Sequence, residues 1–131
     1  ADDGSAKFRP AFVRAADDTG FQLSMLVAVA QVESGFKPDA RSQADARGLL
    51  QVTPTTAAEL MLNANGPSSN VLAGARYLRL MLNRFQRMDL ALAAYNAGPT
   101  LVERLGRAPS QETQTYVANV QQRWAALAGC N

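Results

Sequence analysis

The chain has 131 residues, 47% hydrophobic and 18% charged, a composition typical of one globular domain. Its net charge of +2 is too small to indicate a nucleic-acid partner. There is no histidine and a single cysteine, Cys130, so imidazole catalysis, an internal disulfide and a cysteine metal cluster are excluded. Hydrolytic or lyase chemistry would therefore depend on carboxylates, tyrosine or lysine, and we expect no metal and no cofactor.

The first predicted helix contains Phe8 and Phe12, tolerates Pro10 near its start and ends at Gly20. We expect a single domain over residues 1–131, with residues 1–6 flexible. No apolar stretch is long enough to span a bilayer, so no membrane span is expected.

Residues 23–35, LSMLVAVAQVESG, predict a second helix that is apolar on nearly every face and therefore buried. Ser24 is its predicted N-cap, and Gly35 suits a left-handed exit. Glu33 continues the apolar stripe into the last turn. Because burial and the helix-terminal carbonyls both disfavour a charged carboxylate, we expect a raised pKa and a general-acid role for Glu33. The alternative is a partly exposed glutamate at the rim of the core.

Residues 39–52 lack a sustained period and predict a long loop, and loops of that length are usually functional. Thr53 and Pro54 then predict a helix start, with the threonine as N-cap and the proline in the first turn. Thr56 and Glu59 have the spacing of a capping box one turn later.

The second half of the chain predicts three further helices and a short intervening segment. Asn70 is the predicted N-cap of a long helix, Asp89 caps a short helix over 90–96 that Gly98 ends, and Ser110 begins the last helix. The apolar stripe of the long helix after Asn70 is Val71, Ala75, Leu78, Leu82 and Phe85. The apolar stripe of the last helix is Tyr116, Val117, Val120, Trp124 and Leu127. Since no stretch alternates convincingly, the predicted fold is mostly α, with little or no β.

Three stretches are not explained by packing: ESG at 33–35, GLLQVTP at 48–54 and AAYNAG at 93–98. In this order and spacing they resemble the soluble lytic transglycosylase family, bacterial enzymes with a goose-lysozyme-like fold that cleave peptidoglycan. The resemblance extends from about residue 15 to residue 124. It includes the extended ESGFxPxAxS run at 33–42, the NxxAGxxYL run at 70–78 and the ETxxYV run at 112–117. It implies one lysozyme-like helical domain with a substrate cleft.

Carried over residue by residue, the resemblance implies that Glu33 is the single catalytic acid and base. Tyr95 would donate a hydrogen bond to its carboxyl group, with Asn96 beside it. Ser42 would contact the N-acetyl group of the reacting sugar, and Gln51 would line the cleft. The alternative for Gln51 is that its amide satisfies the loop backbone.

The resemblance also implies saccharide contacts for Ser34, Glu112 and Tyr116. Ser34 could instead end its helix, and Tyr116 could belong to the core. The sequence departs from the family pattern twice. Asp45 stands where the family usually has glycine, and aspartate tolerates a positive φ better than most residues. Thr53 replaces a methionine that flanks the sugar, so this contact is expected to differ.

The implied reaction uses one carboxylate. Glu33 would protonate the oxygen between N-acetylmuramic acid and N-acetylglucosamine, then deprotonate the 6-hydroxyl that closes a 1,6-anhydro ring. The alternatives are a muramidase of the same fold, which lets water attack, and a peptidoglycan-binding module without catalysis. A purely helical interaction domain would leave the long loop unexplained. The expected partner is the glycan strand of peptidoglycan, with a secretion or cell-envelope machine as a candidate, for a periplasmic or secreted monomer.

Overall fold

Proline, glycine and capping hydroxyls set the ends of most helices in this chain. The computed structural model describes residues 4–129, so Cys130 lies outside the described residues. Over that range a short 3-10 helix, Ala6–Phe8, precedes α1 (Arg9–Thr19), α2 (Leu23–Ser34), α3 (Pro54–Glu59), α4 (Pro67–Phe85), α5 (Met88–Ala97), α6 (Pro99–Leu105) and α7 (Gln111–Leu127). Two isolated β-bridges, Arg41 with Arg47 and Arg47 with Val52, lie in the loop between α2 and α3. The described part of the chain is therefore mostly helical, as predicted.

The chain divides into two compact units, residues 1–76 and residues 77–131. That it forms a single domain stays a prediction. In the first unit α1 packs against α2. Gly20 ends α1 with φ 79° and Gly35 ends α2 with φ 61°, which is the left-handed exit expected from the sequence.

The first unit has its core on α2, where Leu26, Val29 and Ala30 are fully buried. Phe12 of α1 meets Phe36 edge to face, with ring centroids 6.5 Å apart. The core therefore lies directly behind the last turn of α2, the turn that carries Glu33.

In the second unit α5 packs against both α6 and α7. The alanines of α5 allow this close packing, since Ala91, Ala93 and Ala94 are at most 1% exposed. Ser110 is the N-cap of α7, as predicted, and its hydroxyl accepts a hydrogen bond from the Thr113 N–H at 3.1 Å.

Four predicted capping features are wrong, each because the residue lies inside its helix. Ser24 is the second residue of α2, whose N-cap is Gln22. Thr56 lies inside α3, and its N–H donates to the hydroxyl of Thr53, the predicted N-cap, at 3.2 Å. Asp89 lies in the first turn of α5, where its negative charge interacts favourably with the helix dipole. Asn70 lies inside α4, which begins at Pro67.

The buried stripe predicted for α7 is only partly correct. Tyr116, Val117 and Val120 are buried, whereas Trp124 is half-buried and Leu127 is 44% exposed. The apolar spacing continues beyond the packed part of the helix, so periodicity alone overestimates burial there. None of the helices described between residues 4 and 129 is long and apolar enough to cross a bilayer.

Candidate active site

Glu33 lies in the last turn of α2, one residue before the helix ends at Ser34. The preceding turn is fully buried at Ala28, Val29 and Ala30, and the Glu33 side chain itself is half-buried. The carboxyl group therefore lies where the apolar core meets solvent. A proton donor in that position can be partly desolvated and still be reached by a substrate.

Ser34 ties this end of α2 to the long loop. Its hydroxyl oxygen lies 3.0 Å from the Ala30 carbonyl oxygen and 2.9 Å from the Leu49 carbonyl oxygen, and it donates to them. The first contact stays within the helix, whereas the second crosses fifteen positions of sequence. These contacts favour the structural interpretation of Ser34, and its contact with substrate stays a prediction.

The loop is closed by backbone hydrogen bonds rather than by regular strands. Arg47 and Val52 exchange both of their backbone hydrogen bonds, at 3.0 Å and 2.9 Å. The Gly48 N–H donates to the Ala40 carbonyl at 2.9 Å, which brings two distant parts of the loop together. A tight turn over residues 48–51 results, and it presents Gln51 next to the start of α3.

Gln51 adopts a φ of 51°, a left-handed conformation that is uncommon for a residue other than glycine. Its amide nitrogen donates to the carbonyls of Gly48 at 2.9 Å and Ala40 at 3.2 Å. The side chain thus fixes the turn from which it projects. This is the alternative that the sequence left open, and a role for Gln51 in lining a cleft stays a prediction.

The outer part of the loop carries Ser42 and Asp45. Ser42 is exposed, and its hydroxyl accepts the Ala46 N–H at 3.0 Å. Asp45 has a φ of 65°, the left-handed conformation considered for it from the sequence. Its carboxylate accepts two hydrogen bonds from Arg47, both at 3.1 Å, and pairs with Arg41 at 3.4 Å. The Arg47 hydrogen bond is the main reason that the pKa of Asp45 lies below its usual range.

Asn70 anchors the same loop from α4, and the sequence analysis missed this role. Its side chain is 1% exposed, its oxygen accepts the Leu50 N–H at 2.9 Å, and its nitrogen donates to the carbonyls of Arg47 at 2.6 Å and Ala64 at 2.7 Å. A Cβ on Gly48 would lie 2.5 Å from that nitrogen, so only glycine fits beneath it. A buried asparagine with such long-range partners has no local signature in the sequence.

In the second unit, Tyr95 lies in the last full turn of α5 and is half-buried. Its ring centroid is 5.5 Å from that of Tyr77, with the planes inclined by 53°. Asn96 is exposed, and its side-chain oxygen accepts the Thr113 hydroxyl at 2.8 Å. Thr113 is 3% exposed, and the sequence analysis assigned no role to it beyond its place in the ETxxYV run. Its contact ties the end of α5 to the start of α7.

The remaining candidates have different environments. Glu112 is exposed in the first turn of α7, whereas Tyr116 is 8% exposed and forms part of the core, which favours its structural interpretation. Thr53 caps α3 through the Thr56 N–H. Within the first unit, hydrogen bonds therefore connect the end of α2, the loop and the start of α4. Within the second, they connect the end of α5 with the start of α7.

Comparison with known proteins identifies the family. A family model described as Transglycosylase SLT domain matches residues 10–117. The chain belongs to the soluble lytic transglycosylase family. The resemblance noted in the sequence is thereby confirmed, and this SLT domain is expected to share the family's lysozyme-like fold.

Two relatives are described as lytic transglycosylases. The chain is 38% identical over 100 residues to "Membrane-bound lytic murein transglycosylase F" of Desulfosudis oleivorans, which covers 70% of this chain and 22% of the relative. It is 30% identical over 119 residues to "Membrane-bound lytic murein transglycosylase C" of Haemophilus influenzae, which covers 76% of this chain and 33% of the relative. The SLT domain thus spans between a fifth and a third of these two proteins.

Solved structures give the same fold. An inactive glutamate-to-glutamine mutant of lytic transglycosylase Slt from Pseudomonas aeruginosa superposes with a TM-score of 0.82 at 31% identity, covering 92% of this chain and 24% of that chain. The 70 kDa soluble lytic transglycosylase of Escherichia coli gives a TM-score of 0.80 at 27% identity over 92% of this chain and 24% of that one. The lysozyme-like helical fold predicted from the sequence is confirmed.

Proposed function

We propose that this SLT domain cleaves peptidoglycan between N-acetylmuramic acid and N-acetylglucosamine and forms 1,6-anhydro-N-acetylmuramic acid. The observation that carries the proposal is Glu33, a half-buried carboxyl group at the end of a buried helix, next to a loop that hydrogen bonds hold against that end. The two relatives named above are both described as lytic murein transglycosylases, and the Slt variant described as inactive exchanges a glutamate for glutamine.

A single-carboxylate reaction fits the charges of the loop. Ordinary glycosidases use two carboxyl groups, one of them a nucleophile or a base for water. The loop offers Asp39 and Asp45. Asp39 is exposed, and Asp45 is an ion-paired carboxylate between Arg41 and Arg47 with a lowered pKa. A carboxylate engaged by two guanidinium groups is a poor base, so we assign neither aspartate a catalytic role.

In the proposed reaction, protonated Glu33 donates its proton to the glycosidic oxygen as the bond to the anomeric carbon breaks. The N-acetyl group of the same sugar stabilises the positive charge on that carbon. The Glu33 carboxylate then accepts the proton of the 6-hydroxyl, whose oxygen bonds to the anomeric carbon. No water is consumed, and Glu33 returns to its protonated form for the next turnover.

The other site roles rest on the family resemblance. We propose that the Tyr95 hydroxyl donates a hydrogen bond to the Glu33 carboxyl group, with Asn96 beside it. Ser42 is proposed to contact the N-acetyl group, Thr53 to flank the sugar, and Glu112 to border the saccharide groove. Since Ser34, Gln51 and Tyr116 are engaged in hydrogen bonds or in the core, any contact they make with sugar would use their remaining surface.

We also propose that the protein acts in the cell envelope, in the periplasm or after secretion, as a monomer. The relatives are described as lytic murein transglycosylases, which fits a substrate located in the cell wall. A secretion or cell-envelope machine is a candidate partner.

The experiment that tests the proposal is mass spectrometry of the fragments released from purified peptidoglycan, with and without borohydride reduction. The transglycosylase reaction gives 1,6-anhydro products that are lighter by one water than hydrolysis products and that borohydride cannot reduce. Reducible products would identify a muramidase instead. No product from folded protein that still binds the polymer would favour the binding module.

Glu33→Gln provides the matched loss-of-function variant. We expect it to reduce turnover by at least about 10²-fold, because general acid catalysis typically contributes that much or more. Its thermal midpoint should be unchanged or higher, since glutamine has nearly the same size as glutamate and cannot become charged at this half-buried position. Glu59→Gln, an exposed glutamate of α3, is the control and should retain full activity.

A further inference from the structure

The second unit contains a depression of about 310 Å³ that none of the candidate active-site residues lines. It lies between the start of α5, the connection from α6 to α7 and the middle of α7. That volume is at the lower end of the range of about 300–1,000 Å³ typical of small-molecule sites. It therefore suits the end of a short chain better than a run of sugar rings.

One wall of the depression is apolar and is formed by Leu90, Val117 and Ala118. Val117 is buried and Leu90 is half-buried, so this wall is continuous with the packed core of the unit. The amide side chains of Gln114 and Gln121 also line the depression and can donate or accept hydrogen bonds. This combination suits a ligand with a small apolar group next to a polar one.

The lining also carries more positive than negative charge. Arg87 and Arg107 line the depression together with one carboxylate, Asp89. Arg87 pairs with that carboxylate through two hydrogen bonds, at 3.1 Å and 2.6 Å. Within the described part of the chain, the Arg107 guanidinium makes one long contact, 3.4 Å to the Ala108 carbonyl. Among residues 4–129, no carboxylate forms an ion pair with Arg107.

We propose that this depression binds the carboxylate end of a short peptide whose last residue has a small apolar side chain. The Arg107 guanidinium would take the carboxylate, which it can hold through two N–H donors, and the wall around Val117 would take the side chain. The assignment to a particular source rests on the proposed function. The peptide stems of peptidoglycan end in alanine carboxylates, so the depression would hold the stem while the glycan is processed elsewhere.

The binding test uses the full chain, N-acetyl-D-alanyl-D-alanine as probe, and methyl NMR signals of Leu90 and Val117 as readout. We expect saturable shifts of these signals with the free acid and none with the C-terminal amide of the same dipeptide. Arg107→Gln should weaken binding by about tenfold or more, since a hydrogen bond to a charged group is worth that much. Arg104→Gln removes the same charge from an exposed residue of α6 that does not line the depression, and it should change the dissociation constant by less than twofold.

Three outcomes would overturn the proposal: no saturable shift, equal binding of acid and amide, or equal weakening by Arg107→Gln and Arg104→Gln. The last would indicate that net charge alone attracts the peptide. Failure of the proposed function is read separately, from cleavage of glycan strands stripped of peptide. The Arg107→Gln protein should cleave those strands at the unsubstituted rate and cleave peptide-bearing peptidoglycan more slowly. Absence of cleavage of both substrates by the unsubstituted protein would refute the transglycosylase assignment without changing the binding result.

Discussion

Replacing Asn70 with alanine tests whether one buried amide holds the loop of the candidate active site. The substitution removes one hydrogen bond from each of three backbone groups: the N–H of Leu50 and the carbonyls of Arg47 and Ala64. Leu50 and Ala64 are 1% and 4% exposed, so solvent does not reach their groups without a change in structure. The Arg47 carbonyl is only partly buried and still accepts the Val52 N–H at 2.9 Å, so it keeps one partner.

The expected loss of stability follows from these environments. Each buried group left unpaired costs about 1–3 kcal/mol, so the Leu50 N–H and the Ala64 carbonyl together give about 2–6 kcal/mol. This is a large fraction of the roughly 5–15 kcal/mol that stabilises a typical domain. Asn70→Asp should be at least as destabilising at neutral pH, because it retains the acceptor for Leu50 but turns a carboxylate oxygen toward two carbonyls.

The assay is urea unfolding with linear extrapolation, in which an unchanged slope shows that the unfolded state is comparable. Asn65→Ala is the matched control, since this exposed asparagine accepts one hydrogen bond, from Arg47 at 3.2 Å, and should cost less than about 0.5 kcal/mol. Hydrogen exchange at the Leu50 amide gives a local readout and should accelerate in the Asn70 variant. A loss below about 1 kcal/mol with an unchanged Leu50 exchange rate would refute the reasoning.

Two further predictions concern single side chains. Tyr95→Phe should lower turnover by about 10–1,000-fold, the range for loss of a hydrogen bond that positions a catalytic group, and should shift the pH–rate profile with little change in sugar binding. An unaltered turnover rate and pH–rate profile would indicate that Tyr95 contributes only to packing. Asp18 accepts two hydrogen bonds from Arg76, at 2.8 Å and 2.9 Å, and chiefly for that reason its pKa is lowered. A carboxylate whose pKa is lowered in the folded state stabilises the fold at pH values above its unfolded-state pKa. This contribution is lost as the pH falls through the folded-state pKa. Asp18→Asn should therefore cost about 0.2–1 kcal/mol of stability near neutral pH and nothing in strong acid. Thermal unfolding at both pH values checks this, with exposed Asp17→Asn as control; an equal loss in acid would contradict the ion pair as its cause.

Much of the fold could be predicted because its signals are local. Gly35 ends α2 in the expected conformation, Thr53 and Pro54 begin α3, and Ser110 caps α7. In each case the residue type and its immediate neighbours determine the backbone. The same local reasoning failed at Asp89, where Arg87 rather than the aspartate precedes the first turn. Capping residues are also favourable inside the first turn, so the sequence does not distinguish the two positions.

The candidate site was predictable only in part, because its geometry depends on contacts between distant residues. The order of motifs was enough to identify the family and to single out Glu33. Nothing near Asn70 in the sequence indicates that its amide bonds to residues 20 and 23 positions earlier. Thr113 is similar, since only the folded unit places its hydroxyl 2.8 Å from Asn96.

The contacts of Gln51 affect how this loop can be engineered. Since its amide supports its own turn, any substitution there alters the shape of the loop before it alters a contact with sugar, and lost activity would not measure affinity. The exposed tip offers a better starting point. Gln43 and Ala44 lie within the turn that Ser42 and Ala46 close, outside the contacts of Gln51. A library confined to these two positions could vary what the loop presents to a polymer while the support beneath it stays constant.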